Sequence, residues 1–331
     1  MKQTNEGDVQ LVDKLNEKVK QTKQEIAKII VGQDEIIDQL LISLFSRGHC
    51  LLVGVPGLAK TLLIKTLAEV MDLKFNRIQF TPDLMPGDIT GTELVEEDPL
   101  TKKRSFRFVE GPIFANVILA DEINRTPPKT QAALLEAMQE HRVTTAGKTK
   151  VLTEPFFVLA TQNPIEQEGT YPLPEAQLDR FMFNLWLDYP SFQEEKKIVE
   201  TTTSEYSAVL HKVVSADEII LFQDLIRRVP VADNVIEFAV RASNLTRPTN
   251  GSSPQFIKDW ITWGAGPRAS QYLTLAAKTR AVINGRYTPN IDDVKIAMTP
   301  VLRHRIITNF SAEADGITPL DVIKKLVQEL N

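Results

Sequence analysis

The chain has 331 residues, 43% hydrophobic and 24% charged, which suits a water-soluble fold with one large or two medium cores. A formal net charge of −5 argues against nucleic acid as a partner, since duplex binding needs a basic face. Cys50 is the only cysteine, no apolar run approaches a membrane span, and residues 1–6 lack a signal-peptide core. These features exclude an intramolecular disulfide and a spanning helix, and make the cytoplasm the expected location.

In chain order, residues 9–30 place Leu11, Val12, Leu15, Val19, Ile26, Ile29 and Ile30 near helical spacing, and Val31-Gly32-Gln33 breaks the pattern. A second helix runs through Ile36, Ile37, Leu40, Leu41, Leu44 and Phe45. Short apolar runs then alternate with helical stretches at 51–53, 75–80, 117–120, 156–160 and 181–187. That alternation predicts an α/β fold, with a parallel five-stranded sheet covered on both faces and ligands at the carboxyl ends of its strands. After Asp188-Tyr189-Pro190 the strand pattern stops. A capping box, Ser215-Ala216-Asp217-Glu218, opens a helix, and further helices are expected at 233–245, 268–283, 291–303 and 319–330. The chain therefore divides into an α/β domain over 1–190 and a smaller all-helical domain over 191–331.

The run Cys50-Leu51-Leu52-Val53 breaks into Gly54-Val55-Pro56-Gly57-Leu58-Ala59-Lys60-Thr61, the layout of a phosphate-binding loop. Small residues let backbone N–H groups curl around phosphate oxygens, and the following helix directs its positive end at them. Lys60 can reach the β- and γ-phosphates, and Thr61 can place its hydroxyl on Mg²⁺. Ala59 stands where the pattern has its second glycine; a tight strand-to-helix turn has the same outline. Val117-Ile118-Leu119-Ala120 delivers Asp121 and Glu122 to a strand end. Asp121 suits Mg²⁺ and Glu122 suits polarisation of an attacking water. Asn163 ends the next strand, with donor and acceptor in one uncharged group. Arg125, Arg180 and Arg268 are candidates for stabilising charge in phosphoryl transfer, although a surface ion pair is the commoner fate of an arginine.

Taken together, these motifs resemble AAA+ ATPases, and within them the MoxR group with its helix-2 insertion. The resemblance extends through Phe80-Thr81-Pro82-Asp83-Leu84-Met85-Pro86-Gly87-Asp88-Ile89, Glu110-Gly111-Pro112-Ile113-Phe114 and Tyr171-Pro172-Leu173-Pro174-Glu175-Ala176-Gln177-Leu178-Asp179-Arg180-Phe181. It implies an AAA+ core followed by a helical lid. It implies nucleotide binding by Gly54, Val55, Pro56, Gly57, Leu58, Ala59, Lys60, Thr61 and Leu62, with Val31, Gly32 and Gln33 near the adenine. Asp121 and Glu122 take the Walker B roles, with Thr61 and Asp121 at the Mg²⁺. Asn163 becomes sensor 1, Arg180 an arginine finger reaching a neighbouring subunit's ATP, Arg268 sensor 2 in the lid, and Arg125 a further cross-interface residue. The cofactors implied are ATP and Mg²⁺, and the assembly a homo-oligomer, a hexameric ring. The expected activity is ATP hydrolysis coupled to chaperone-like remodelling of a client, often one with a von Willebrand factor A domain. The helix-2 insertion falls at about 84–107, with the basic run Lys102-Lys103-Arg104, and a hairpin before sensor 1 at about 141–152.

Other readings compete. An assembly switch with little turnover has no use for Glu122. A nucleic-acid motor lacks a basic groove with aromatics, and a magnesium-chelatase-like motor subunit is close in mechanism. His49, His141, His211 and His304 lack metal-ligand spacing, and Trp186, Trp260 and Trp263 read as core or domain-contact residues.

Overall fold

The computed structural model describes residues 6–97, 102, 104–145, 147–165, 169–204 and 208–330. Helices α1 (Glu6–Ile26) and α2 (Asp34–Phe45) precede strand β1 (Cys50–Gly54), α3 (Lys60–Val70) and β2 (Phe75–Gln79). Next come α4 (Pro86–Thr90), the strands β3 (Gly91–Glu97), β4 (Arg104–Glu110) and β5 (Val117–Asp121), and a short 3-10 turn (Ile123–Arg125). Helix α5 (Pro128–Glu140), β6 (Arg142–Thr145), β7 (Lys148–Val151), β8 (Phe157–Gln162), α6 (Glu175–Leu178) and β9 (Phe183–Leu187) follow.

Five of these strands form one parallel sheet in the order β2-β5-β8-β1-β9. Because all run the same way, the ends of β1, β5 and β8 open onto one edge, where the loops after them meet. Both faces are covered, which is why β1 and β5 are buried at every position. The two-residue period of a strand sorts its side chains: Cys50, Leu52, Val117, Leu119, Phe157 and Leu159 join one core with α1, α2 and α3. Leu51, Val53, Ile118, Ala120, Val158 and Ala160 join another beneath α5. Each fully buried Leu, Ile or Phe contributes about 1.5–3 kcal/mol to holding this frame. Cys50 is one of these core residues, and burial pushes its thiol up to about 12.

Two antiparallel hairpins stand off the sheet. β3 pairs with β4 from Gly91↔Glu110 to Glu97↔Arg104, and β6 pairs with β7 from Arg142↔Val151 to Thr145↔Lys148. Lys103, within the basic run, lies outside the described residues; Lys102 and Arg104 both pair with Glu97 in solvent. The hairpins are tied to each other. Lys148 Nζ lies 3.3 Å from Glu93 Oε1, and Lys150 Nζ sits 4.2 Å above the Phe108 ring.

The rest is mainly helical: α7 (Phe192–Thr202), α8 (Ala216–Arg228), α9 (Asp233–Asn244), α10 (Gln255–Trp260), α11 (Pro267–Ile283), α12 (Ile291–Leu302), α13 (Phe310–Ala314) and α14 (Pro319–Glu329). Helix α7 opens on a capping box between Ser191 and Glu194 that pattern reading passed over. The strand pattern does not stop at residue 190. β10 (Ile261–Trp263) and β11 (Ile307–Thr308) form a small antiparallel ladder, too short for periodicity to register. Of the tryptophans, Trp186 and Trp263 are 51% and 67% exposed, so neither is a core residue. One core runs unbroken from Leu52 and Phe183 in the sheet through Leu40 to Phe222, Leu273 and Met298 in the helical part.

Candidate active site

The loop after β1 owes its shape to its small residues. A Cβ on Gly54 would stand 3.0 Å from the Leu187 carbonyl oxygen of β9, and Gly57 adopts φ +88, open only to glycine without strain. Ala59, at the start of α3, also lies in the left-handed region with φ 56. Alanine there is not the neutral helix-start residue that its sequence position suggests, because its Cβ meets the backbone in this conformation. The loop faces solvent: Pro56, Gly57, Ala59 and Leu62 are exposed, while Thr61 is half-buried at the head of α3.

Lys60 folds back over the loop and donates to the carbonyls of Gly54 at 2.5 Å and Val55 at 3.3 Å. Partial burial lowers its pKa, and the nearby carboxylates of Asp121 and Glu122 act in the opposite direction. The loop on β1 and the acidic pair on β5 therefore share one electrostatic site, although β8 runs between their strands.

Asp121 is buried at the end of β5. Its Oδ1 accepts from Thr161 Oγ1 at 2.5 Å, and its Oδ2 accepts from Arg77 Nη2 at 2.6 Å and Nε at 3.1 Å. Glu122 turns out of the strand at φ 57, and its backbone N–H donates to the same Thr161 hydroxyl at 2.9 Å. Its Oε2 accepts from Gln79 Nε2 at 2.9 Å and from Arg125 Nη1 at 3.0 Å. Arg125 thus rests on the Glu122 carboxylate of its own chain. Asn163, 6% exposed at the end of β8, accepts from the Ile165 backbone N–H.

Beside the loop lies a cavity of about 600 Å³, in the range of small-ligand sites. Val31, Gln33, Gly57, Leu58 and Ala59 line it, opposite Trp186, Tyr189 and the helical part's Arg303. Gln33 holds φ 61, and its buried side-chain oxygen has no hydrogen-bond donor. Gly32, by contrast, is not among the lining residues and lies against the Glu194 side chain. Arg303 stacks over Trp186 with its guanidinium carbon 5.3 Å from the ring, and burial lowers its pKa.

Arg180 and Arg268 are elsewhere. Both line a second cavity of about 190 Å³ with Arg47, His49, His141 and Tyr272, and it shares no residue with the first. Arg268 Nη1 donates to Asp179 Oδ2 at 2.8 Å, next to Arg180 in sequence. The fold brings Lys60, Thr61, Asp121, Glu122, Asn163 and Arg125 to one edge and sets Arg180 and Arg268 on a different face.

Sequence reasoning missed Thr161, Gln79, Arg77, Trp186 and Arg303. Thr161 carried a faint signal, as a hydroxyl at an inward position of an otherwise apolar strand. Arg77 and Gln79 carried none, because the neighbour of β2 is not legible from spacing.

The description "ATPase family associated with various cellular activities (AAA)" matches residues 49–183, and an AAA lid domain matches 256–326. Over 304 residues the chain is 42% identical to "Chaperone MoxR1" of Mycobacterium tuberculosis, covering 92% of this chain and 79% of that protein. It is 29% identical to "Protein MoxR" of Methylorubrum extorquens, covering 91% and 90%. A crystal structure of a putative ATPase from Cytophaga hutchinsonii superposes with a TM-score of 0.90 at 40% identity, covering 97% of each chain. The parallel sheet with its loop after β1, the acidic pair after β5 and these likenesses agree, and the chain belongs to the MoxR family of AAA ATPases.

Proposed function

We propose that this chain hydrolyses ATP with Mg²⁺, in sites completed by a neighbouring copy, and uses the cycle to remodel a partner protein. The observation that carries this reading is the division of charge in the molecule. Lys60 and the acidic pair occupy one edge, whereas Arg180 and Arg268 occupy a cleft that shares no lining residue with the loop cavity.

The loop N–H groups and Lys60 receive the triphosphate, the lysine exchanging its two carbonyl contacts for phosphate oxygens. Thr61 and Asp121 offer only oxygen donors, and no group of three or more His, Cys, Asp or Glu gathers among the described residues. That donor set fits Mg²⁺, which takes one or two protein oxygens alongside phosphates and water. Bound there, the ion would neutralise charge on the phosphate oxygens. Glu122, once released by Gln79 and Arg125, polarises the attacking water, and Asn163 orients it. The adenine enters beside Val31 and Gln33, where its amino group satisfies the orphaned Gln33 oxygen.

Arg180 and Arg268 serve the site of the next subunit, so the assembly is a ring, which we take as a hexamer. Arg268 on this reading senses the neighbour's nucleotide and not its own. The chaperone named among the relatives supports a protein client. A partner with a von Willebrand factor A domain, met by the coupled β3–β4 and β6–β7 hairpins, is the class we propose. No helix among the described residues is long and apolar enough to cross a membrane, and with the lone buried cysteine we infer a cytoplasmic setting. The test is steady-state ATP hydrolysis against protein concentration. Activity per subunit should rise with concentration and vanish in Arg180→Ala; a rate independent of both refutes a shared site.

A further inference from the structure

Arg305 has no assigned part in this fold's chemistry, yet it is among the most buried charges of the molecule, 5% exposed in the segment between α12 and β11. Burying a guanidinium is costly unless every donor finds a partner. Here every nitrogen is used. Nε donates to Asp179 Oδ1 at 2.7 Å, and Nη2 donates to the carbonyls of Asp179 and Phe181, each at 2.7 Å. Nη1 donates to the carbonyls of Val301 at 2.5 Å and Met182 at 3.4 Å, and lies 2.7 Å from His304 Nε2.

The partners outside its own segment share one property. Asp179, Phe181 and Met182 flank Arg180 on both sides, and the carbonyl of Arg180 itself accepts from Tyr272 at 3.2 Å. The second carboxylate oxygen of Asp179 holds Arg268 at 2.8 Å. His304 Nε2 lies 3.1 Å from the Phe181 carbonyl, to which it donates only in the tautomer that does not accept from Arg305. The backbone around Arg180 is therefore gripped from the helical part, while its own guanidinium makes no hydrogen bond among the described residues. Where packing alone is needed, apolar residues do as well as a buried ion pair or better. A fan of directed hydrogen bonds instead sets orientation.

We propose that Arg305 is a positioning residue for Arg180: by clamping residues 179–182 to the end of α12, it sets the direction in which that side chain projects toward the neighbouring subunit. The inference rests on the in-trans role of Arg180 given above. It also makes the finger answer to the helical part, so that a shift at the end of α12 reaches Arg180 chiefly through the Arg305 fan, beside the single contacts of Tyr272, Arg268 and His304.

Mixing separates positioning from mere structure. Arg305→Met should lower kcat on the scale of losing an arginine finger, about 10³-fold or more, with KM for ATP changed less than about twofold. Glu122→Gln subunits are inactive but still carry a sound finger. Added in equal amount, they should restore hydrolysis to Arg180→Ala subunits and likewise to Arg305→Met subunits, whose own phosphate loop and acidic pair are intact. Arg305→Met mixed with Arg180→Ala should stay inactive, since neither donates a finger. Arg305→Lys, which keeps the charge on Asp179, provides a milder variant for the same mixtures and should lie between wild type and Arg305→Met. The proposal is overturned if Arg305→Met keeps wild-type kcat. It is equally overturned if Glu122→Gln rescues Arg180→Ala but neither Arg305 variant, because the defect is then general. Failure of Glu122→Gln to rescue Arg180→Ala instead refutes the shared site itself.

Discussion

Thr161 offers the sharpest test of how the acidic pair is held. The residue is fully buried, and its hydroxyl makes two bonds at once: it donates to Asp121 Oδ1 at 2.5 Å and accepts the Glu122 N–H at 2.9 Å. Thr161→Val removes the hydroxyl at nearly constant volume. A hydrogen bond to a charged group is worth about 1.5–3 kcal/mol and a neutral one about 1 kcal/mol. Arg77 retains both its bonds to the other oxygen of Asp121, so the carboxylate stays partly satisfied. The expected loss is about 3 kcal/mol, which in a chain this long lowers Tm by roughly 5 °C. Glu122 is affected twice, since its left-handed backbone at φ 57 also loses its anchor. If half or more of the loss falls on the transition state, kcat drops by about 10- to 100-fold. Thermal unfolding and steady-state ATP hydrolysis measure the two parts. Thr161→Ser retains the hydroxyl and should recover most of kcat. A Thr161→Val enzyme with wild-type kcat, or a serine variant as impaired as the valine one, refutes the bridging role.

His49 should make the fold acid-sensitive. Its Nδ1 accepts from the Val158 N–H and its Nε2 donates to the Met138 carbonyl, so only the neutral ring fits, and burial lowers its pKa to about 4. The unfolded chain therefore binds this proton first. Its contribution to stability is constant above pH 6.5 and is lost as pH drops toward 4, by on the order of 3 kcal/mol in all. Urea midpoints at pH 7.5 and 5 should diverge in the wild type and converge in His49→Gln; equal divergence in both counts against His49. Ala59→Gly relieves a left-handed alanine costing about 1–2 kcal/mol but frees the unfolded chain by about 0.4–1 kcal/mol. A net gain between zero and about 1.6 kcal/mol should appear in urea unfolding, and a loss contradicts the assigned backbone. Trp186, half-exposed beside the phosphate loop, should change its fluorescence when ATP is added, and Trp186→Phe should abolish the change. EDTA should stop hydrolysis while leaving that binding signal; a signal that survives Trp186→Phe places the nucleotide elsewhere.

The candidate site of this chain was largely legible in local sequence. A phosphate loop must combine small residues, a lysine and a helix start within a few positions. Lys60, Thr61, Asp121 and Glu122 could therefore be singled out as candidates from local spacing, before the fold showed Lys60 and the acidic pair at one sheet edge. The central strands were also legible, since burial on both faces demands unbroken apolar runs such as Val117-Ile118-Leu119-Ala120, whereas β2, with Asn76, Arg77 and Gln79, has only one buried position. The ends of elements were less so: β8 continues to Gln162, and β9 begins at Phe183, because hydrogen bonding and not hydrophobicity decides where a strand stops. What tertiary structure alone decided is which distant residues share a space. Gln79 lies on Glu122 because β2 pairs with β5 in register, and Thr161 bridges the acidic pair because β8 lies beside it. Arg268 sits with Asp179 and Arg180, away from its own chain's phosphate loop, and Arg305 threads into the same segment from 126 positions away. Motifs act through contacts within a few residues, so sequence reveals them. The pairing of a helical part with a sheet depends on the summed packing of two surfaces, and no local pattern encodes it.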